Sequence, residues 1–574
     1  MEKRDVYDLT NPQKNIWNTE QYYKGTAINN IAGHLYIDQP INFDLLKKAI
    51  NQFIKDNDGF RLKLSFDDNS NEVKQYVANY KQVDIEIVSI KDKSKIDFIE
   101  KELCCVPFDL MNDFLFRFKI FRLPTGKGGF VIVAHHLIFD AYTASLVANK
   151  VMSIYSSFIK GITISELPTS YIDYIDSEKK YFISSKYDKD KKYWDDVFKT
   201  LPVPGTITGT KHSTQSSPKA QRKTYIFSEA QTKKIKDFCL AHKVSSFNFF
   251  MGLFALYIYK VSNTDDFIIG TPILNRSNFA EKNTPGMFIS TIPFRIQVDD
   301  GLTFCDFIKN IASDSFTMYR HQKYPYQEML ENIRKANPNQ PNLYDILISF
   351  QNAKTSSKLS DIPFEIKWSF SGSIADNLQI HLTDLNDEGS LNISYDYRLD
   401  KYTDDDICYI HERILYMIDQ VLQSDSADSI NIKKIDILTL KEKNLILTDF
   451  NKTFEKFSYK DSIIEHIEEA AKNNPDVIAI ETEDFSITYS QLMTRINKLS
   501  NYLLNYNLTE SSNIGIYTTR TIDTIIGILA ILKINCTYVP IDTQYPVDRI
   551  AHMVQTSKLK YILADNVNSF TSRK

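Results

Sequence analysis

The sequence is short of the residues that build disulfide scaffolds, metal clusters and membrane spans. Its six cysteines (Cys104, Cys105, Cys239, Cys305, Cys408 and Cys536) show no CxxC and no framework spacing. That excludes a disulfide-stapled fold and leads us to expect reduced thiols in a cytoplasmic protein. The ten histidines contain no HExxH and no Cys/His pattern, so no metal is expected. The longest apolar stretch near the C-terminus, Ile525 to Leu532, is too short to span a bilayer. Met1 to Asp5 is charged and no apolar run follows it, so no signal peptide is expected. Basic and acidic residues are interleaved, for a net charge of −4, which excludes the basic footprint of a nucleic-acid binder.

Aromatic residues are abundant instead, 33 Tyr and 36 Phe, which suits large packed sheets. At 574 residues the chain is too long for one core and predicts about three or four folding units. The sharpest chemical feature is Val131 to Ala141, an apolar strand that runs into His135 and His136 and meets Asp140 four residues later. Neutral imidazole is the side chain best suited to moving a proton near neutral pH. Neighbours on a strand point to opposite faces, so one histidine should pack and the other face a cleft.

In order, Leu9 to Trp17 predicts the start of a helix with Asn11 as cap and Pro12 at its first position. Ile31 to Ile37 reads as a strand and Asn42 to Asp56 as a helix. Asp58 to Phe66 reads as a turn and a strand, with Arg61 either a buried cation or, more commonly for a lone arginine, solvent-facing. Phe114 to Leu123 and Gly129 to His136 form a predicted hairpin. Helical spacing resumes after Asp140, which reads as the N-cap and is free to anchor the histidine loop as well. A charged helical stretch covers Tyr171 to Phe198, and Leu201 to Thr224 reads as a connector between lobes. A second α/β unit follows. It has a helix over Phe247 to Val261 and strands over Asp266 to Pro272, Gly286 to Arg295, Leu343 to Gln351, Leu378 to Leu385 and Ser390 to Leu399, then a helix over Asp404 to Leu422. Beyond a polar linker, Ser462 to Asp542 reads as a βαβ-type beginning.

His135 to Ala141 resembles the HHxxxDG signature of nonribosomal peptide synthetase condensation domains. Other stretches resemble the family's motifs in order: Leu9 to Trp17 (S/T-x-x-Q-x-x-x-W), Asp56 to Arg61 (RHExLR, keeping only the final arginine), Tyr171 to Tyr174 (YxDY), Asp266 to Arg276 (DVVFGxxxxxR), Gly286 to Arg295 (GxFVNTxPxR, with Ser290 for Asn) and, loosely, Gln322 to Tyr326 (QDxPF). Ile487 to Leu492 and Leu532 to Asp542 are similar to the opening of an adenylation domain (LTYxEL, LKAGxAYVPLD). The phosphate loop downstream of that opening is not in this sequence, so no adenylation activity is expected from it.

The resemblance implies an α/β (α+β) fold of two chloramphenicol-acetyltransferase-like lobes in a V-shaped pseudo-dimer, plus a partial adenylation subdomain. Expected boundaries are 1–200 and 201–430 for the lobes, 431–460 for a linker and 461–574 for the adenylation fragment. It implies amide formation between an acyl or peptidyl thioester donor and an aminoacyl acceptor. Both would be carried on phosphopantetheine arms of donor and acceptor carrier proteins, with no intrinsic cofactor and with the rest of the synthetase module as a further partner. His136 matches the position that acts as general base or orients the amine. His135 is expected to pack on the other strand face. Asp140 is expected to be structural, paired with Arg61 or Arg295, while Tyr142, Ser290 and Thr291 are expected to line the channel. Ala141 replaces the family glycine; if φ is positive there, the methyl strains the backbone. That substitution and the worn RHExLR stretch support the alternative of a catalytically weak platform that docks carriers. Pro12 to Glu20 is similar to versions in initiating modules that take a fatty acyl donor. With eight residues before the first motif, no separate docking domain is expected ahead of it.

Overall fold

The computed structural model describes residues 5–67, 72–162, 169–213, 215–340, 342–351, 358–359, 362–384, 390–423, 430–456, 462–483 and 485–565. The chain divides into two compact units, Met1–Leu445 and Ile446–Lys574.

The first unit holds two lobes, each a mixed sheet with helices. In the first lobe the strands run in the order Lys358–Leu359, Ile362–Ser369, Asn30–Ile37, Gly128–His135, Phe116–Arg122 and Glu86–Ser89. The Gly128–His135 strand is buried along its whole length, as its near-continuous apolar run demands. The helices Phe43–Asp56 and Ala141–Lys160 share the main core of this lobe. The Ile362–Ser369 strand comes from the sequence of the second lobe and pairs antiparallel with Asn30–Ile37. This crossover means that a cut at residue 200 does not separate the lobes. Its alternating pattern escaped the sequence reading because it is an edge-proximal strand of mixed polarity.

The second lobe orders its strands Ser290–Gln297, Asp266–Ile273, Ile346–Gln351, Leu378–Thr383, Asn392–Arg398 and Ala220–Ile226, with Val203–Pro204 added beside Asp266–Ile273. Its core gathers the Ser246–Ser262, Phe304–Arg320 and Asp404–Gln423 helices. The expected connector 201–224 therefore carries two strands. The helix Glu229–His242 was also missed. The expected strand Leu378 to Leu385 ends at Thr383, and residue 385 lies outside the described residues. Residues 431–445, expected to be linker, belong to this unit: Ile432 and Ile435 are fully buried in the second-lobe core. Among the described residues no single helix is long and apolar enough to cross a membrane.

The second unit has the expected parallel arrangement. Asn513–Tyr517 pairs in parallel with Thr537–Pro540 and with Tyr561–Ala564, and the Ile522–Lys533 helix connects the first two.

Candidate active site

The Gly128–His135 strand ends at His135, and the next residue stays in the ladder through one bond, His136 N–H to Asn29 O at 2.8 Å. The two imidazoles then part. His135 is buried against Phe108, accepts the Leu137 N–H at Nδ1 (3.2 Å), and sits with Nε2 3.4 Å from Glu20 Oε2. A ring whose Nδ1 accepts a backbone N–H carries its proton on Nε2, facing the carboxylate. Glu20 also accepts from Asn29 Nδ2 at 2.7 Å. His135 is thus fixed on both nitrogens, the packing position expected for it. Glu20 closes the Pro12 to Glu20 stretch singled out in the sequence, but nothing there placed it beside His135.

His136 keeps partial solvent access. Its Nδ1 is sealed and has no hydrogen-bond partner among the described residues, which leaves the Nε2 side of the ring to meet a ligand. Burial pushes this imidazole below the ordinary histidine value of 6.5, opposed by the Asp140 charge and by backbone groups of His136 and Phe139. At neutral pH the ring is uncharged and able to accept a proton.

Asp140 caps the Ala141–Lys160 helix, accepting the Thr143 N–H at 2.7 Å. Its ion-pair partner is Arg276. Arg276 Nη1 lies 2.7 Å from Asp140 Oδ2, Nη2 lies 3.3 Å from Oδ1, and both side chains are fully buried. The Phe288 and Ile289 N–H groups add bonds of 3.0 and 3.2 Å to Oδ2. Burial raises the pKa of this carboxyl, but Arg276 and the N–H donors outweigh burial and hold it below the usual carboxylate range.

This corrects the expected pairing. Arg61 instead donates Nη1 to Ala78 O at 2.9 Å. Arg295 binds Asp266 through Nε at 2.8 Å and reaches Thr200 O at 3.0 Å, so it ties the strand pair to the segment just after the helix Ser185–Val197. Arg276 was legible as the last residue of the Asp266 to Arg276 motif, but nothing in a linear motif says which carboxylate it meets.

The loop 275–289, expected in part to be strand from Gly286, crosses between the lobes. The strand itself begins at Ser290. Thr143 Oγ1 donates to Gly286 O at 2.7 Å, and Tyr171 OH donates to Met287 O at 2.5 Å. Phe288 packs among first-lobe core residues, its ring 4.2 Å from that of Tyr174 and beneath the Arg276 guanidinium. Gly286 is required by this fit, because a Cβ there would overlap the Tyr171 ring at 2.3 Å. The YxDY stretch therefore serves the inter-lobe seam.

Tyr142 is half-buried, with Arg276 4.8 Å from its ring centre. Ser290 and Thr291 are half-buried at the start of their strand, directly after the pinned loop. Ala141 is the first residue of its helix, has no positive φ, and exposes its methyl. The expected backbone strain does not arise.

A buried amide pair supports the turn behind His136. Gln13 Nε2 donates to Leu137 O at 3.0 Å, and Gln13 and Gln75 exchange bonds of 2.9 and 2.8 Å. Thr10, not Asn11, caps the first helix, and its N–H meets Gln13 Oε1 at 2.9 Å in a capping box.

Residues 3–447 match the family model described as Condensation domain, and residues 467–574 match the one described as AMP-binding enzyme. The chain belongs to the condensation-domain family. It is 32% identical over 567 residues to surfactin synthase subunit 1 of Bacillus subtilis (strain 168), covering 98% of this chain and 16% of that protein. It is 24% identical over 574 residues to the dimodular nonribosomal peptide synthase of the same organism, covering 97% of this chain and 23% of that protein. The chain therefore spans less than a quarter of the length of either relative. Among solved structures it is similar to a mutant of the starter condensation domain of rhizomide synthetase in complex with C8-CoA and Leu-SNAC. There the TM-score is 0.65 at 21% identity, covering 75% of this chain and 97% of that one. A four-domain nonribosomal peptide synthetase bound to AMP and glycine aligns with 98% of this chain and 44% of its own, with a TM-score of 0.77 at 17% identity. The condensation domain thus has the two-lobed fold of nonribosomal peptide synthetases and is followed by part of an AMP-binding domain.

Proposed function

We propose that this condensation domain joins a carrier-bound acyl thioester to the α-amine of a carrier-bound aminoacyl thioester, and that the donor is a fatty acyl group. The observation that carries the reading is the neutral, half-accessible His136 on a turn pinned from both lobes. Aminolysis of a thioester requires the amine to shed a proton as the tetrahedral intermediate forms and collapses. His136 takes that proton at Nε2, or holds the amine against the thioester carbon. A positioned base contributes roughly 10²–10⁴-fold, and fixed geometry contributes at least as much. Asp140 serves through Arg276 and the cap, by fixing the loop, and is not itself a proton carrier. The fatty acyl donor is supported by the similarity to a starter condensation domain captured with C8-CoA. The helical φ of Ala141 removes the main support for a mere docking platform. We assign no adenylation to residues 461–574.

The test supplies this chain with donor carrier loaded with octanoyl phosphopantetheine and an acceptor carrier loaded with an amino acid, and weighs the acceptor arm by mass spectrometry. The expected result is an acceptor arm heavier by one acyl group. No product from any fatty or aminoacyl donor would favour the platform.

A further inference from the structure

The helix Ile96–Cys104 packs on one face of the first-lobe sheet, with its neighbour there the strand Asn30–Ile37. Where they meet, His34 of the strand and Asp97 and Glu100 of the helix converge. One imidazole nitrogen and one oxygen of each carboxylate all lie within 4.8 Å of one another. Asp97 and Glu100 are three residues apart, so they share a helix face. The crossover strand Ile362–Ser369 completes the surroundings. Ser369 Oγ donates to Glu100 Oε2 at 2.5 Å, and Lys367 Nζ lies 2.9 Å from Asp97 Oδ1.

The Glu100 side chain is 1% exposed, yet its Oε1 makes no hydrogen bond among the described residues. His34 Nδ1 stands 3.1 Å from that oxygen and likewise makes none. The two atoms face each other at close range without hydrogen-bond geometry. Two ligands on one tetrahedral Zn²⁺ stand about 3.4 Å apart, given metal–ligand distances of about 2.0–2.1 Å. Two carboxylates face one lysine and the His34 imidazole, which pairs with Glu100 as a cation only when protonated; with the imidazole neutral, the buried carboxylate still requires a cation.

We propose that His34, Asp97 and Glu100 bind a divalent first-row transition ion of the Zn²⁺ type. The imidazole ligand disfavours Mg²⁺ and Ca²⁺, which take oxygen ligands. The exposed Asp97 is the point of entry, and water completes the coordination. Ser369 orients Glu100 from behind, the role that outer partners play at metal sites. Lys367 competes with the ion for Asp97. Binding ties the helix to the sheet and, through Ser369, to the strand that crosses between the lobes. The sequence held no metal pattern because the ligands come from two separate elements.

The test titrates ZnCl₂ and MgCl₂ into the chelator-treated full chain, reading heat and metal content. We expect one Zn²⁺ per chain and no Mg²⁺. His34→Ala and Glu100→Gln each weaken Zn²⁺ binding by at least about tenfold, and Ser369→Ala by about tenfold. Lys367→Ala tightens binding, an effect that cysteines or histidines elsewhere would not produce. Because Lys367 is exposed, this variant reports even if the buried ones fail to fold. Failure to take up one Zn²⁺, uptake indifferent to His34→Ala and Glu100→Gln, or no tightening in Lys367→Ala would overturn the proposal.

Discussion

Arg276 Nη1 donates to Asp140 Oδ2 at 2.7 Å, from one lobe of the condensation domain to the other, and neither side chain reaches solvent. The pair does not merely neutralise a cap. It fixes the start of the helix that follows His136 to the loop that opens the second-lobe strand Ser290–Gln297. Removing one partner strands a buried charge, which costs about 3–5 kcal/mol. Arg276→Met is therefore expected to lower the unfolding midpoint of the first unit and to abolish product formation. Asp140 and Arg276 should couple strongly in a double-mutant cycle, whereas Asp140 and Arg295 should be additive. Strong coupling of Asp140 to Arg295 in that cycle would contradict the pairing.

Gln75 sits behind the histidine turn without touching it, paired with the Gln13 that holds Leu137 O. Gln75→Leu leaves one Nε2 hydrogen of Gln13 unpaired in the core, at about 1–3 kcal/mol, while the Gln13 bonds to Leu137 O and Thr10 remain. We expect kcat to fall by about tenfold or more with KM for the acceptor little changed, because positioning rather than binding is lost. A rise in KM at constant kcat would place Gln75 in substrate binding instead.

Ala141→Gly tests whether the departure from the family glycine matters. Because Ala141 is helical and exposed, glycine there is expected to destabilise by up to about 1 kcal/mol and to leave turnover within about twofold. A tenfold gain in turnover would mean that the methyl obstructs the site.

Three imidazoles, His135 and His411 buried and His136 half-buried, respond to pH. Burial holds His135 and His136 below 6.5 and pushes His411 down to about 4. The unfolded chain takes up these protons near 6.5 and the folded chain does not, so their contribution to stability is lost as pH falls from 6.5 towards 4. Glu178 runs the other way. Burial raises it to about 7, so its contribution is present below 4.5 and lost as pH rises through 7. Histidine-resolved NMR titration should find the His136 ring neutral at pH 6.5 and above. A His136 midpoint above 6.5 would contradict its assignment as a neutral base.

The parts of this molecule legible in its sequence are those where local pattern and tertiary role coincide. The continuous apolar run of Gly128–His135, the Asp140 cap and the helix after it could be read directly, because a buried strand and a capped helix each carry their own signal. Strand alternation said only that one of His135 and His136 packs while the other faces a cleft; the resemblance to the HHxxxDG motif pointed to His135 as the one that packs. Arg276 was in view as a motif residue but not as the partner of Asp140, since which arginine crosses a lobe boundary is decided by packing 136 residues away. Gln75 lies in no motif, and its meaning exists only because a small three-stranded sheet of Tyr7–Asp8, Glu72–Val77 and Leu62–Asp67 brings it against Gln13. The crossover strand Ile362–Ser369 was missed for the same reason. It pairs with a sheet of the other lobe, and no local pattern announces a distant partner.

The central claim is that His136 performs or positions the proton transfer in amide formation. The most direct measurement is single-turnover product formation on the acceptor arm by His136→Ala beside the unaltered chain, with both shown to fold and to bind the acceptor carrier equally. We predict a loss of about 10²–10⁴-fold, with the Asp140–Arg276 latch intact. Undiminished product from His136→Ala would contradict the account.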